Sequence, residues 1–263
     1  MDLGLEGRVA LVTGGSEGVG LATAMRLAAE GAAVVICARR ADVLEHAVDE
    51  IASATGGDVL GVPADVTRPE DVEELFRRTM AKHGRIDILV NNAGKGAGYA
   101  FEDVTDAAWA ADLDLKLLTH VRCIRAAIPH MQAQGGGRIV NVVSIGGKAP
   151  EAKSLPASTG RAAGIALTKA LSKTYAADNI LVNAVCIGLV KSAMVERVAL
   201  RRIAGDPGRT LEDVYAEEAV RIPVGRVGET EEVADVIAFL ASDRASYVTG
   251  VAVNVDGGES PVV

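Results

Sequence analysis

The stretch Thr13-Gly14-Gly15-Ser16-Glu17-Gly18-Val19-Gly20 constrains this chain more than any other. It follows the apolar run Val9-Ala10-Leu11-Val12 and opens a segment in which Leu21, Ala24, Met25 and Ala28 recur at i, i+3, i+4 and i+7, so the local order is strand, tight turn, helix. Gly14 allows the sharp turn, Gly18 lets the backbone come close to a phosphate, and Gly20 lets helix and strand pack closely. The free N–H groups at the start of the helix attract negative charge. A glycine pattern alone also fits an ordinary turn; its place between a strand and an amphipathic helix favours a seat for a nucleotide pyrophosphate, with Ser16, Glu17 and Val19 beside it.

The rest of the chain alternates in the same way. Ala33 to Ala38 reads as a buried strand ending at Arg39-Arg40, where an arginine accommodates a ribose 2′-phosphate and an acid would bind a 2′-hydroxyl. A helix from Val43 to Thr55 leads to a strand from Val59 to Val62 and then to Asp65-Val66, whose carboxylate is placed to accept from an adenine amino group or to cap a turn. Pro69 begins a helix with the stripe Val72, Leu75, Phe76, Thr79 and Met80. Ile86 to Val90 is the fourth strand, and it ends in Asn91-Asn92-Ala93-Gly94. The spacing predicts a long helix over Asp106 to Gln134 with Leu113, Leu117, Val121, Ile124 and Ile128 on one face. A strand from Arg138 to Val143 ends at Ser144, a helix spans Pro156 to Ala177, and Leu181 to Val185 is the sixth strand. Leu189 to Val220 reads as a charged, irregular insertion centred on Gly205-Asp206-Pro207-Gly208, a substrate lid at about 189–220. The helix Glu231 to Ala241 and the strand Ala252 to Val255 close the pattern.

Alternation of this kind implies an α/β doubly wound parallel sheet, and a single domain over residues 1–263. Hydrophobic residues make up 49% and aromatics only 3%, which suits strands buried on both faces. The formal charge of −8 and the lack of a basic cluster argue against nucleic acid. Cys37, Cys123 and Cys186 lie far apart in apolar stretches and the four His have no ligand spacing, so core thiols in a reducing, cytoplasmic setting are expected and a metal site is not. No secretory segment and no bilayer-length apolar run is present in the 263 residues.

Taken in order and at this spacing, Thr13 to Gly20, Asp65-Val66 and Asn91-Asn92-Ala93-Gly94 resemble the short-chain dehydrogenase/reductase family. Ile222-Pro223-Val224-Gly225-Arg226, Glu231-Glu232-Val233-Ala234, Tyr247-Val248-Thr249-Gly250 and Asn254-Val255-Asp256-Gly257-Gly258 extend the likeness to the C-terminus. The resemblance implies a Rossmann-like sheet of about seven strands with helices on both faces, a nicotinamide cofactor, a small carbonyl or alcohol substrate, and a homodimer or homotetramer formed through the two long helices. It also implies that Gly14, Ser16, Glu17, Gly18, Val19, Gly20, Arg39, Arg40, Asp65, Val66, Asn92, Ala93 and Gly94 line the cofactor. Gly188, Val190 and Ser192, in a segment aligned with the family's Pro-Gly stretch, complete that set together with Arg161. Ala38-Arg39 favours NADP(H), with NAD(H) as the other possibility.

The family uses a Ser, a Tyr four residues before a Lys, and an Asn on the long helix. Ser144 stands at its place, but counting from Ser144 and from the run Ala162 to Lys169 puts Ala157 at the Tyr position, Arg161 at the Lys position and Lys116 at the Asn position. Arg161 can hold the ribose and keep positive charge in the site, yet a guanidinium does not release its proton at neutral pH. Ala157 has no proton to give. Either a slow reductase working with Ser144 and water or a relocated acid is therefore expected, the candidates for the acid being Lys116 and Tyr99 ahead of Lys95, Lys153 and Ser158. The leading expectation is an NADP(H)-dependent carbonyl/alcohol oxidoreductase with a non-standard proton donor. A catalytically silent NADP(H)-binding homologue, acting as a sensor or assembly partner, and a non-redox lyase on the same scaffold remain open.

Overall fold

In the computed structural model, which describes residues 1–263 other than Ala97, Gly205 and Pro207, the elements follow in the order β1 (Val9–Thr13), α1 (Gly18–Ala29), β2 (Ala33–Ala38), α2 (Ala41–Thr55), β3 (Val59–Pro63), α3 (Pro69–His83), β4 (Ile88–Asn91), β5 (Gly98–Tyr99), α4 (Asp106–Leu113), α5 (Thr119–Ala133), β6 (Gly137–Ser144), β7 (Leu155–Pro156), α6 (Ala157–Tyr175), β8 (Ile180–Ile187), α7 (Ala193–Ile203), α8 (Leu211–Ala219), α9 (Thr230–Ala241) and β9 (Ala252–Val255). Seven strands pair in the order β3-β2-β1-β4-β6-β8-β9. Every pairing in that sheet is parallel.

Successive side chains of a strand point to opposite faces, so each strand feeds two cores. Ala10 and Val12 of β1 pack with Leu27 of α1 and Ile237 of α9, whereas Leu11 between them packs with Leu75 of α3 and Ile124 of α5. Both faces are covered, and the strands are apolar throughout for that reason. The protein has the Rossmann-like doubly wound architecture. Because the chain runs outward from β1 to β3 and then restarts on the other side with β4, the strand order reverses between β1 and β4. A crevice opens at such a switch point, at the carboxyl ends of the strands. Here it is a cleft of about 1160 Å³.

Two sequence expectations require correction, and one small element adds to them. The long helix is interrupted by a π-turn over Asp114–Leu118. The inserted residue rotates the helix phase, so Leu113, Leu117 and Val121 are only half-buried while Asp112, Lys116 and His120 are buried. Ile124 and Ile128, beyond the turn, are buried as the periodicity requires. The insertion from Leu189 to Val220 is not irregular either: Ser192 caps α7 by accepting from the Val195 N–H, and Thr210 and Asp213 form a reciprocal capping box at α8. Of its expected centre, Gly205 and Pro207 lie outside the described residues. Finally, β5 and β7 form a small antiparallel pair, Gly98 opposite Pro156 and Tyr99 opposite Leu155, which no periodicity in so short a segment reveals.

Candidate active site

The glycine turn lies against the end of β4. Gly14 and Gly18 adopt φ of 64° and 57°, the left-handed region open to glycine. A Cβ on Gly20 would come 2.1 Å from the Gly14 carbonyl oxygen, so only glycine lets α1 approach the turn this closely. The α1 N-terminus has no side-chain cap, which leaves its first N–H groups directed at the cleft. Asn92 acts as a clamp: its side-chain amide donates to the carbonyls of Thr13 and Gly14 at 3.0 and 3.1 Å, and the Asn92 and Ala93 N–H groups donate to Thr13 Oγ1 at 2.9 and 3.1 Å. Asn92 thereby fixes the turn as well as lining the cleft.

At the outer end of the cleft, Glu17 accepts from Arg40 at 2.5 Å and from Arg197 of α7 at 3.1 Å, so its charge is matched by two guanidinium groups. Arg39 has no ion-pair partner among the described residues and lines the same end. Asp65 Oδ1 accepts from the Thr67 N–H and hydroxyl at 3.0 and 2.7 Å. Burial pushes the Asp65 carboxyl up, but the Thr67 hydrogen bonds and the charges of Arg39 and Arg68 outweigh it and hold the group below the usual range. The residues expected to line the cofactor all border this one cleft except Gly20, whose role is the close packing described above.

The inner end is built from four elements. Ser144 at the tip of β6, Lys116 in the π-turn, His120 of α5 and Arg161 of α6 all border the cleft, as does Tyr99 of β5. Among the described residues the Ser144 hydroxyl has no hydrogen-bond partner in the protein. Lys116 is 5% exposed and its Nζ donates to Asp112 Oδ1, one helical turn back and equally buried. Gly160 of α6 makes room for that pair, since a Cβ there would lie 3.2 Å from Lys116 Cβ and 3.7 Å from Asp112 Oδ2. Asp112 Oδ2 and His120 Nδ1 are buried without a hydrogen-bond partner. Burial pulls the Lys116 ammonium below the ordinary lysine range; Asp112 opposes this, while the Arg161 and Lys95 charges add to it. Burial, helped by the Arg161 charge, pushes the His120 imidazole down to about 4. The Arg161 guanidinium is also lowered, first by burial and against the pull of Asp112.

Ala157 is buried and does not border the cleft, although Pro156 before it does. Tyr99 is 55% exposed on the rim. Lys95 borders the cleft at its mouth, but Lys153 and Ser158 do not border it. Sequence reasoning missed Asp112 and His120, although both stand at i±4 from Lys116, a spacing that places side chains on one helix face. A buried chain was missed as well. Asn91 of β4 donates to Asn141 of β6 at 2.9 Å, and Asn141 donates to Thr168 of α6 at 2.9 Å, tying the sheet to the helix that carries Arg161.

Residues 14–260 match a family model described as enoyl-(acyl carrier protein) reductase. The chain is 42% identical over 259 residues, 97% of each chain, to cis-4-hydroxycyclohexanecarboxylate dehydrogenase of Sinomonas cyclohexanicum. The chain is a short-chain dehydrogenase/reductase. It is also 36% identical, over 97% of each chain, to a 3-oxoacyl-[acyl-carrier-protein] reductase of Synechocystis sp.. Among solved structures of this family it resembles the L-sorbose reductase of Gluconobacter frateurii complexed with NADPH and L-sorbose, with 34% identity, full coverage of both chains and a TM-score of 0.97. Like other short-chain dehydrogenases/reductases it is an oxidoreductase, and no helix among its described residues is long and apolar enough to cross a membrane.

Proposed function

We propose that this enzyme is an NADP(H)-dependent carbonyl reductase or alcohol dehydrogenase whose proton donor is Lys116. The cradle fits the cofactor: two glycines with positive φ, an uncapped helix N-terminus and an Arg39 without an ion-pair partner among the described residues border the cleft. Gly14 to Val19 with the α1 N–H groups would hold the pyrophosphate, and Arg39 with Arg40 the 2′-phosphate. Asp65 and Val66 would border the adenine. Asn92, Ala93 and Gly94 would line the path to Arg161 at the nicotinamide ribose, and Gly188, Val190 and Ser192 would line the nicotinamide. When bound, the nicotinamide supplies or takes the hydride.

The chain's own residues handle the oxygen and the proton. The Ser144 hydroxyl donates to the substrate carbonyl oxygen, and Arg161 keeps positive charge beside the oxygen as it becomes an alkoxide. The Lys116 ammonium transfers a proton to that oxygen, giving the alcohol and a neutral amine that takes a proton back from solvent. Asp112 orients Lys116 and keeps its proton on. Tyr99 contacts the substrate from the rim. The carrying observation is the buried Lys116–Asp112 pair facing the cleft next to Arg161. We further propose one domain, a lid formed by α7 and α8, a cytoplasmic setting, and a homodimer or homotetramer that covers the half-buried Leu113, Leu117 and Val121.

NADPH oxidation by concentrated enzyme over aldehydes, aryl ketones, diketones and quinones, with NADH in parallel, tests this reading. Turnover that Lys116→Met lowers by about 10²–10⁴, with NADPH binding retained, is the expected result. Saturating NADPH binding without turnover of any carbonyl would instead leave a nucleotide-binding protein, the second reading, which the lack of a proton-bearing side chain at Ala157 favours.

A further inference from the structure

Resting on the oxidoreductase reading, we propose that the substrate carries a carboxylate on an apolar body, and that Arg161 is the residue that binds this carboxylate. The first observation is the charge inside the cleft. Although the whole chain has a formal charge of −8, the cleft is bordered by six cationic side chains against three carboxylates. Two of those carboxylates are engaged by named cations: Glu17 by Arg40 and Arg197, and Asp112 by Lys116. The third, Asp65, lies at the Arg39 end and its Oδ1 is held by Thr67. At the inner end this leaves Arg161, and Lys95 at the mouth, with no carboxylate within ion-pair distance among the described residues.

The second observation is what surrounds Arg161. The groups that act on it are Asp112, already bonded to Lys116, and the Cys186 thiol, which burial pushes up and keeps neutral. His120 faces the same space and is neutral above about 4. None of these supplies a free negative charge. Nor does the proposed contact with a ribose, since ribose hydroxyls are neutral. Arg161 is half-buried, and a guanidinium partly withdrawn from water is favoured by a counter-charge; its planar fork matches a carboxylate with two parallel hydrogen bonds. A substrate carboxylate supplies the missing charge. Leu189, Met194 and Val195, which line the same cleft, are apolar and suit the remainder of the molecule.

Isothermal titration of the NADP⁺-saturated enzyme with benzoate and with benzamide, at two salt concentrations, tests this without requiring turnover. Benzoate is expected to bind about tenfold or more tighter than benzamide, a preference that narrows with added salt, disappears in Arg161→Gln and is partly kept in Arg161→Lys. Equal binding of acid and amide by the wild type overturns the inference. So does a preference that survives in Arg161→Gln. If Arg161→Gln does not fold, Arg161→Lys decides: a preference for the acid left undiminished in that variant overturns the assignment to Arg161. The two readings fail separately: absence of NADPH oxidation with every carbonyl defeats the redox reading, whereas turnover of neutral ketones with no preference for the acid defeats only this one.

Discussion

The two ends of the cleft are built by different means. The outer end, under α1 and β2, is made of backbone: two glycines with positive φ, bare N–H groups and a clamp of main-chain and amide hydrogen bonds around Thr13. The inner end is made of side chains, Lys116, His120, Ser144 and Arg161, delivered from four separate elements. A backbone cradle has few sequence solutions, because any Cβ in it collides. A side-chain constellation has many, because a proton can come from any donor that reaches the oxygen. We propose that this contrast is why Thr13 to Gly20 follows the family pattern while Ala157, Arg161 and Lys116 take the places where that pattern has Tyr, Lys and Asn.

The sharpest way to break this contrast is at Lys116. Lys116→Met is expected to lower kcat by about 10²–10⁴ with NADPH affinity unchanged, measured by steady-state kinetics and fluorescence titration. A variant that retains full kcat would show that the inner end does not depend on this side chain. The outer end should answer oppositely. Gly20→Ala forces a Cβ to within 2.1 Å of a carbonyl oxygen, and about 3 kcal/mol of stability should be lost together with NADPH binding, visible as a fall in Tm.

His120 gives the next effect. Its folded-state value of about 4 lies below the ordinary 6.5, so below 6.5 the unfolded chain takes up a proton that the folded chain refuses. The contribution is fully present above 6.5 and is lost as pH falls toward 4, roughly 3 kcal/mol in total. Urea unfolding at stepped pH measures it, and His120→Gln should flatten that part of the curve. Asp112 tests the positioning role. Because Asp112 raises the Lys116 value, Asp112→Asn should lower it further, so the reductase rate should begin to fall at a lower pH than in the wild type. An unmoved alkaline limb would separate Asp112 from the proton donor. The smallest effect is expected at Glu17, a half-buried partner of Arg40 and Arg197: Glu17→Gln should strengthen NADPH binding by under about 1 kcal/mol, and the gain should shrink with salt.

Most of the sheet was legible from the chain alone. Val9-Ala10-Leu11-Val12, which runs into the glycine turn, and Ala33 to Ala38, which follows Gly31, are short apolar runs, and they form β1 and β2. The π-turn was not legible, since one extra residue in a helix leaves no mark on composition. It moved the buried face from Leu113 and Leu117 to Asp112 and Lys116. The helices of the insertion had readable starts in Ser192 and in Thr210 with Asp213, but the glycines and proline between them dominated the pattern. At the site, Ser144, Arg161 and Lys116 were found by position relative to a family pattern, whereas Asp112 and His120 answer to no such pattern and emerge only as neighbours of Lys116 in space.

What the sequence determined by itself is the outer end and the layering: glycine spacing and apolar runs act over a few residues, so strand, turn and helix follow locally. What only the tertiary structure decided is the electrostatics of the inner end. Whether Lys116 is a solvated surface charge or a buried ammonium paired with Asp112, and whether Arg161 has a counter-charge, depends on which groups from α4, α5, α6 and β6 meet in low dielectric. That meeting is set by packing across the whole sheet.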